Sequence, residues 1–267
     1  MTGVVHLVGA GPGAPDLLTV RAARLLGEAD IVLHDALVHP DTLALAARAQ
    51  KVNVGKRCRG MGSSPATQQQ FINKRLVDAA RKHRLVVRLK GGDPMLFGRA
   101  QEEIDALAAA GIRCEVVPGV TAALGAAAEL GVSLTRRGVA RSVAFVTPRV
   151  GDGEGASHWV RAAMAVDSVA LYMGAGEAGA IRDALLAAGM RASTPVVIAE
   201  SVSLPESNAI AGTLGELPVL AARRGAGPAI VLLGDAFKWG QSLFFSSANR
   251  SQMRKMVPVP ISPAQAS

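Results

Sequence analysis

The residues with the most chemical promise sit in three glycine-bearing loops. Gly9-Ala10-Gly11-Pro12-Gly13-Ala14, Gly91-Gly92-Asp93-Pro94 and Pro118-Gly119-Val120-Thr121-Ala122-Ala123 each follow an apolar run that reads as a short strand. Glycines bare the backbone amides and let a ligand approach the main chain closely. Asp93 is an acceptor suited to a ribose hydroxyl, and equally suited to capping the helical pattern that follows it. Both readings fit the segment. The first loop matches the dinucleotide fingerprint, with alanine in the third place and Asp35 ending the next strand about twenty residues on. Pro12 and Pro15 interrupt that turn, so the helix N-terminus that a pyrophosphate needs slips downstream. No Gly-Lys-Ser/Thr stands at any of the three loops, which argues against a P-loop phosphate site.

Other candidates are more scattered. Asp35, in His34-Asp35-Ala36-Leu37-Val38-His39-Pro40, is a carboxylate at a strand's end, where capping a helix is its ordinary role. His34 and His39 lack the acids or cysteines that a metal site needs, so no metal is expected. Met173 closes a strand in Ala170-Leu171-Tyr172-Met173-Gly174, where core packing is its ordinary role. Arg137 and Arg141 are by default solvated linker charges, and Lys56 and Arg57 belong to the scattered basic residues.

The charge balance is +8 and the pI about 10.2, which calls for an anionic partner. Aromatics make up 3% of the chain and do not alternate with the basic residues, so stacking platforms for nucleic acid are not expected. A polycarboxylate small molecule suits the pattern equally well, and charge alone does not decide between the two. Cys58 and Cys114 fit neither a disulfide framework nor a metal pattern, the apolar runs are too short to span a bilayer, and the first residues enter a strand without a signal peptide. A reduced, cytoplasmic protein with no membrane partner follows as the expectation.

The elements that must position these loops alternate as strand and helix. Strands are expected at Val4–Val8, Ile31–Leu33, Lys51–Val54, Leu85–Leu89 and Arg113–Val117. Helices are expected from Val20 to a stop at Gly27, and over Thr42–Ala49, Thr67–His83, Gly98–Ala110 and Val120–Leu130. That order describes a parallel sheet covered on both faces, with the three loops opening at one edge. The polar, basic stretch around 131–141 reads as an interdomain connection. A second set follows, with strands at Ser142–Thr147, Ser168–Met173, Pro195–Ala199, Ile210–Leu214 and Ala229–Leu233 and helices at Trp159–Ala165 and Glu177–Ala188. The expected architecture is two α/β domains, residues 1–133 and 134–240, with the active site in the cleft between them and a weakly structured tail over 241–267.

In their order and spacing, several segments resemble the uroporphyrinogen-III C-methyltransferase family, within the tetrapyrrole methylases. They are VGAGPGAPDLLT (8–19), DALV (35–38), GKR (55–57), RLKGGDPMLFGR (88–99), VPGVTAA (117–123), YMG (172–174) and GPAIVLLGD (227–235). The resemblance implies a class III-like methyltransferase, usually a homodimer. It would carry two methyl groups from S-adenosylmethionine to C2 and C7 of uroporphyrinogen III, giving precorrin-2 for sirohaem and cobalamin. It further implies that Pro12, Gly91, Gly92, Asp93, Leu96, Thr121, Ala122 and Met173 line the methyl-donor site, with Val202 and Ala229 as counterparts in the last strands. Asp35 becomes the candidate base, and Lys56, Arg57, Arg137 and Arg141 candidate grips for the substrate's carboxylates. Thr147-Pro148-Arg149 and Ser201-Val202 depart from the family's frequent Thr-Gly-His and Asn-Ala. Without an additional dehydrogenase–ferrochelatase segment, the chain resembles the single-function form. A nicotinamide oxidoreductase and an RNA methylase are the alternatives to be weighed.

Overall fold

A computed structural model describes residues 3–55, 65–150 and 157–239; Lys56, Arg57, Cys58 and the expected tail lie outside the described residues. The first half builds strands β1 (Val4–Gly9), β2 (Ile31–His34), β3 (Gln50–Asn53), β4 (Leu85–Lys90) and β5 (Cys114–Val117). They form one fully parallel sheet in the order β3-β2-β4-β1-β5. Alternation along β1 explains why both faces are covered. Val5 and Leu7 point to one face, against helices α3 (Pro65–Lys82) and α4 (Ala100–Ala109). Val8 points to the other, against α1 (Val20–Glu28). The three strands that precede the glycine loops, β4, β1 and β5, are neighbours, so those loops do emerge at one edge.

The second half holds β6 (Val143–Val146), β7 (Ser168–Leu171), β8 (Pro195–Glu200), β9 (Asn208–Thr213) and β10 (Ala229–Gly234), in the order β6-β7-β10-β8-β9. Only β6 and β7 pair in parallel; β10 runs against both β7 and β8, and β8 against β9. Helices α6 (Trp159–Met164), α7 (Ala178–Ala187) and α8 (Leu217–Ala222) cover one face of this sheet. Helix α5 (Ala122–Leu130) covers the other, setting Ala123, Ala126 and Leu130 against Ala170, Val197, Ala199, Ile230 and Leu232. The third glycine loop therefore leaves the first sheet and enters a helix packed on the second, and the two sheets are joined through it.

Among the differences from expectation, three have a clear local reason. Gly27 does not stop α1: the helix continues to Glu28, because the chain is turned instead by Asp30, whose Oδ2 accepts from the Arg84 and Leu85 amides. The helix expected at Thr42–Ala49 is α2 (Pro40–Ala44), begun early by a proline at its first turn and by His39 Nδ1 accepting from the Asp41 amide. Helix α8 was not expected; its Pro218 sits in the first turn, where the missing N–H costs nothing.

Candidate functional site

The three glycine loops are bonded to one another. Gly11 and Gly92 exchange amide–carbonyl hydrogen bonds, at 3.2 and 2.8 Å, joining the first loop to the second. Asp93 joins the second to the third, its Oδ2 accepting from the Gly119 amide at 2.9 Å. Its Oδ1 accepts from the Met95 amide at 2.8 Å, which closes the turn ahead of α4. A side chain at Gly119 would overlap the Gly92 carbonyl oxygen, and one at Gly9 would stand 2.6 Å from the Gly119 amide, so backbone touches backbone here. Asp93 thus does the structural work of a corner, while Gly91, Gly92, Thr121 and Ala122 surround it at the same rim. In the first loop the Gly11 amide is spent on Gly92, and α1 begins only at Val20. The free, helix-opening amides that a pyrophosphate requires are therefore not found at Gly9–Gly13.

The second half supplies the opposite wall. Tyr172 follows β7 and reaches across to α5: the Ala123 amide donates to its Oη at 3.2 Å, and its hydroxyl shares a 2.7 Å hydrogen bond with Thr121 Oγ1. Its ring lies 5.0 Å from that of Phe97 and 6.0 Å from that of Phe145, centroid to centroid. Burial raises the Tyr172 phenol above its ordinary pKa, against the opposing pull of the Thr121 and Ala123 bonds. Met173 is 46% exposed at φ 58°, so it is no core residue; its left-handed backbone turns the side chain out of the sheet. Among the described residues, positive φ outside glycine occurs at Phe97, Arg99, Met173, Ser201 and Ser203, all in loops at this junction. Such strain persists only where surrounding contacts hold it, as at ligand sites.

A further seam is made by the loop after β8. The Ala14 amide donates to Ser203 Oγ at 2.9 Å, the Ser203 amide donates to Glu129 Oε2 at 2.6 Å, and Ser207 Oγ donates to Glu129 Oε1. Val202 is buried, against Gly125 and the first loop, and Pro12 packs on Gly125 beside it. Ala229 stands opposite Glu200 in the β10–β8 register and packs towards the α6–α8 face. Neither Val202 nor Ala229 offers its side chain to the rim, so any ligand contact there would be made by the main chain.

Under the second loop runs a buried chain of charges. Asp35 Oδ1 accepts from Arg88 Nη2 at 2.5 Å, Arg88 Nε donates to Glu103 Oε1 at 3.1 Å, and Lys90 Nζ donates to the same oxygen at 2.8 Å. Arg88, Lys90 and Glu103 are 2%, 3% and 0% exposed, whereas the Asp35 side chain retains 30% exposure at the rim. Burial works against the Arg88 guanidinium, but Asp35 and Glu103 outweigh it and hold its pKa above the ordinary arginine value. Lys90 moves the other way, lowered by burial first and then by Arg88. Asp35 is therefore oriented by a buried fork, and the N-cap of the following helix, α2, is His39. Leu37, two residues on, abuts Gly91, which puts Asp35 at the mouth of the same rim.

The remaining expected residues divide. Leu96 belongs to the turn held by Asp93, its amide donating to the Asp93 carbonyl. The Arg141 amide donates to Asp167 Oδ2 at 2.8 Å, just before β7 begins. Lys56 and Arg57 lie outside the described residues. Among the described residues no group of three metal-ligating side chains occurs, and no helix is long and apolar enough to cross a membrane.

Sequence reasoning missed Glu103, Lys90, Arg88 and Tyr172 as parts of the site. A signal for the first three existed: Arg88 and Lys90 stand two apart on a central strand, so both face one side of a buried sheet and demand a buried anion. No comparable signal marked Tyr172, whose partner Thr121 is 51 residues away.

Comparison with known proteins agrees with this geometry. The family model described as Tetrapyrrole (Corrin/Porphyrin) Methylases matches residues 4–218. The siroheme synthase of Chromobacterium violaceum is 45% identical over 243 residues, 90% of this chain and 51% of that protein. That of Pseudomonas fluorescens is 42% identical over 254 residues, 94% of this chain and 54% of that protein. The chain thus spans about half the length of the curated relatives it matches. Among solved structures, the uroporphyrin-III C-methyl transferase from Thermus thermophilus, complexed with S-adenyl homocysteine, superposes with a TM-score of 0.77 at 39% identity, over 88% of this chain and 99% of that one. A cobalt precorrin-4 methyltransferase, a cobalamin biosynthetic enzyme, gives 0.75 at 28% identity, over 87% and 95%. With its doubly covered parallel sheet, its joined glycine loops and a family match over most of its length, this chain belongs to the tetrapyrrole (corrin/porphyrin) methylases.

Proposed function

We propose that the chain transfers methyl groups from S-adenosylmethionine to C2 and C7 of uroporphyrinogen III, giving precorrin-2 by way of precorrin-1 and releasing S-adenosylhomocysteine. The observation that carries the reading is the convergence at one rim of Gly91–Asp93, Thr121–Ala122 and the strained Met173 loop, in a fold whose solved relative holds S-adenyl homocysteine. The donor would be lined by Pro12, Gly91, Gly92, Asp93, Leu96, Thr121, Ala122 and Met173, and touched by the main chain at Val202 and Ala229. The product would serve sirohaem or cobalamin synthesis. A homodimer in a reduced cytoplasm, with no metal, is part of the same reading.

The sulfonium supplies an electrophilic methyl carbon. Attack by an electron-rich pyrrole carbon forms the C–C bond as the C–S bond breaks, and a proton later leaves the macrocycle. In-line positioning and exclusion of water are what the protein must add. Asp35 supports a base or orienting role because its carboxylate stands at the mouth of the rim and Arg88 fixes one of its oxygens. Lys56 and Arg57 are proposed to hold substrate carboxylates, following the cationic pattern of Gly55–Arg59 in the sequence. Arg137 and Arg141 are proposed as further grips for substrate carboxylates, following the resemblance.

The test is anaerobic incubation with S-adenosylmethionine and uroporphyrinogen III, read by mass. A gain of two methyl groups is expected, and no gain refutes the proposal. Asp35→Asn should lower turnover at unchanged S-adenosylhomocysteine affinity; near-full turnover would remove the base role.

A further inference from the structure

Threonine at a helix N-cap ordinarily turns its hydroxyl onto the first-turn amides. Thr121, the N-cap of α5, makes no such bond. Its hydroxyl bonds Tyr172, and the Ala123 amide, one of the donors left over at that helix end, donates to Tyr172 Oη instead. The cap of α5 is thus supplied by proxy, from the loop after β7. The same tyrosine touches two strained loops: its ring packs on Phe97, at φ 54°, and its neighbour is Met173, at φ 58°. Phe97 ends the turn that begins at Gly91-Gly92-Asp93, while Thr121 heads the helix that follows the third glycine loop. Every segment assigned above to the donor, apart from the first loop and the β8–β10 end, meets at this one side chain.

We propose that Tyr172 is the positioning residue of the methyl-donor site, a latch that sets the second and third glycine loops against Met173; the proposal rests on the donor reading above. The hydroxyl fixes the start of α5, and the ring fixes the Phe97 turn. Neither needs to touch the transferred methyl. Loss of the hydroxyl alone should therefore weaken the donor and spare the tetrapyrrole, which a general loss of stability would not do.

The test compares wild type with Tyr172→Phe, which keeps the ring. The S-adenosylhomocysteine Kd and the KM for S-adenosylmethionine should each rise about tenfold, the ratio expected when one buried amide loses its acceptor. The KM for uroporphyrinogen III and the turnover at saturating donor should stay within about twofold, a change too small to count as a lost contact. An unchanged or tightened donor affinity overturns the latch, and so does a parallel rise in both KM values. Tyr172 is the only tyrosine in the chain, so a second readout needs no variant. S-adenosylhomocysteine should shift the wild-type tyrosinate absorbance titration further upward as the phenol is covered, and an unmoved titration counts against the proposal. Wild type that fails to bind S-adenosylhomocysteine overturns the donor reading and the latch together, whereas normal wild-type binding beside an unaffected Tyr172→Phe overturns the latch alone.

Discussion

Replacing Glu103 by glutamine should expose how much the fold depends on its buried charges. Asp35, Arg88, Glu103 and Lys90 sum to zero charge, and one oxygen, Glu103 Oε1, receives both Arg88 Nε and Lys90 Nζ. Glutamine keeps the shape and one acceptor but removes the only anion that bonds Lys90 among the described residues. Stripping one partner from a buried pair costs about 3–5 kcal/mol. Because the amide oxygen still accepts one bond, the lower end applies, about 3 kcal/mol. For a chain of this size each kcal/mol moves the midpoint by about 2–4 °C, so Tm should fall by about 6–12 °C.

The loss should also depend on pH in a defined direction. Burial and Arg88 already depress the Lys90 pKa, and removing the Glu103 charge depresses it further. The unfolded chain then binds more protons than the folded one, between the depressed folded value and the ordinary lysine value. Stability accordingly rises with pH across that window, and the penalty of Glu103→Gln shrinks on going from neutral to alkaline solution. Urea denaturation at the two pH values, with the double variant Glu103→Gln/Lys90→Met alongside, is the assay. The double variant should recover at least about 1 kcal/mol relative to the single, since no uncompensated ammonium remains. A single variant within about 0.5 kcal/mol of wild type, or a double no better than the single, would refute the cluster as a coupled unit.

Two smaller predictions follow from the packing. Burial, Glu103 and Glu115 push the Cys114 thiol up to about 11 from 9.0, so in a Cys58→Ser background it should react with a neutral disulfide reagent about 10-fold more slowly in the folded than in the unfolded protein, the smaller thiolate fraction being partly offset by greater nucleophilicity. Gly119→Ala drives a Cβ into the Gly92 carbonyl and should cost about 3 kcal/mol, whereas Gly27→Ala, with open space around it in α1, should raise stability by about 0.5–1 kcal/mol. Thermal melts of the pair check both signs.

Much of the first sheet was readable because its strands are buried on both faces and appear as continuous apolar runs such as Leu85–Leu89. Strand direction in the second sheet was not readable. Val231 and Leu232 are buried on opposite faces of β10, so nothing in the strand's own residues tells a parallel neighbour from an antiparallel one. The Gly27 misreading has a different origin, since a glycine's effect depends on its exact position in the helix. Side-chain pairs across the fold are harder again. The bonds from Arg88 to Glu103 and from Tyr172 to Thr121 join different elements, and their partners are fixed only when the chain has folded.

The glycine loops illustrate how a pattern can be present and its usual chemistry absent. Gly9–Ala14 carries the spacing of a dinucleotide fingerprint, yet its function depends on amides left free at a helix start. Here the Gly11 amide bonds Gly92, the Ala14 amide bonds Ser203, and Thr19 caps α1 well downstream. The loop serves as a brace on which the second glycine pair rests, and the small residues are needed because backbones meet there. The same close approach tips Gly91-Gly92-Asp93 from an ordinary corner towards a ligand floor. Asp93 spends its carboxylate on holding the corner, bonding the Met95 and Gly119 amides.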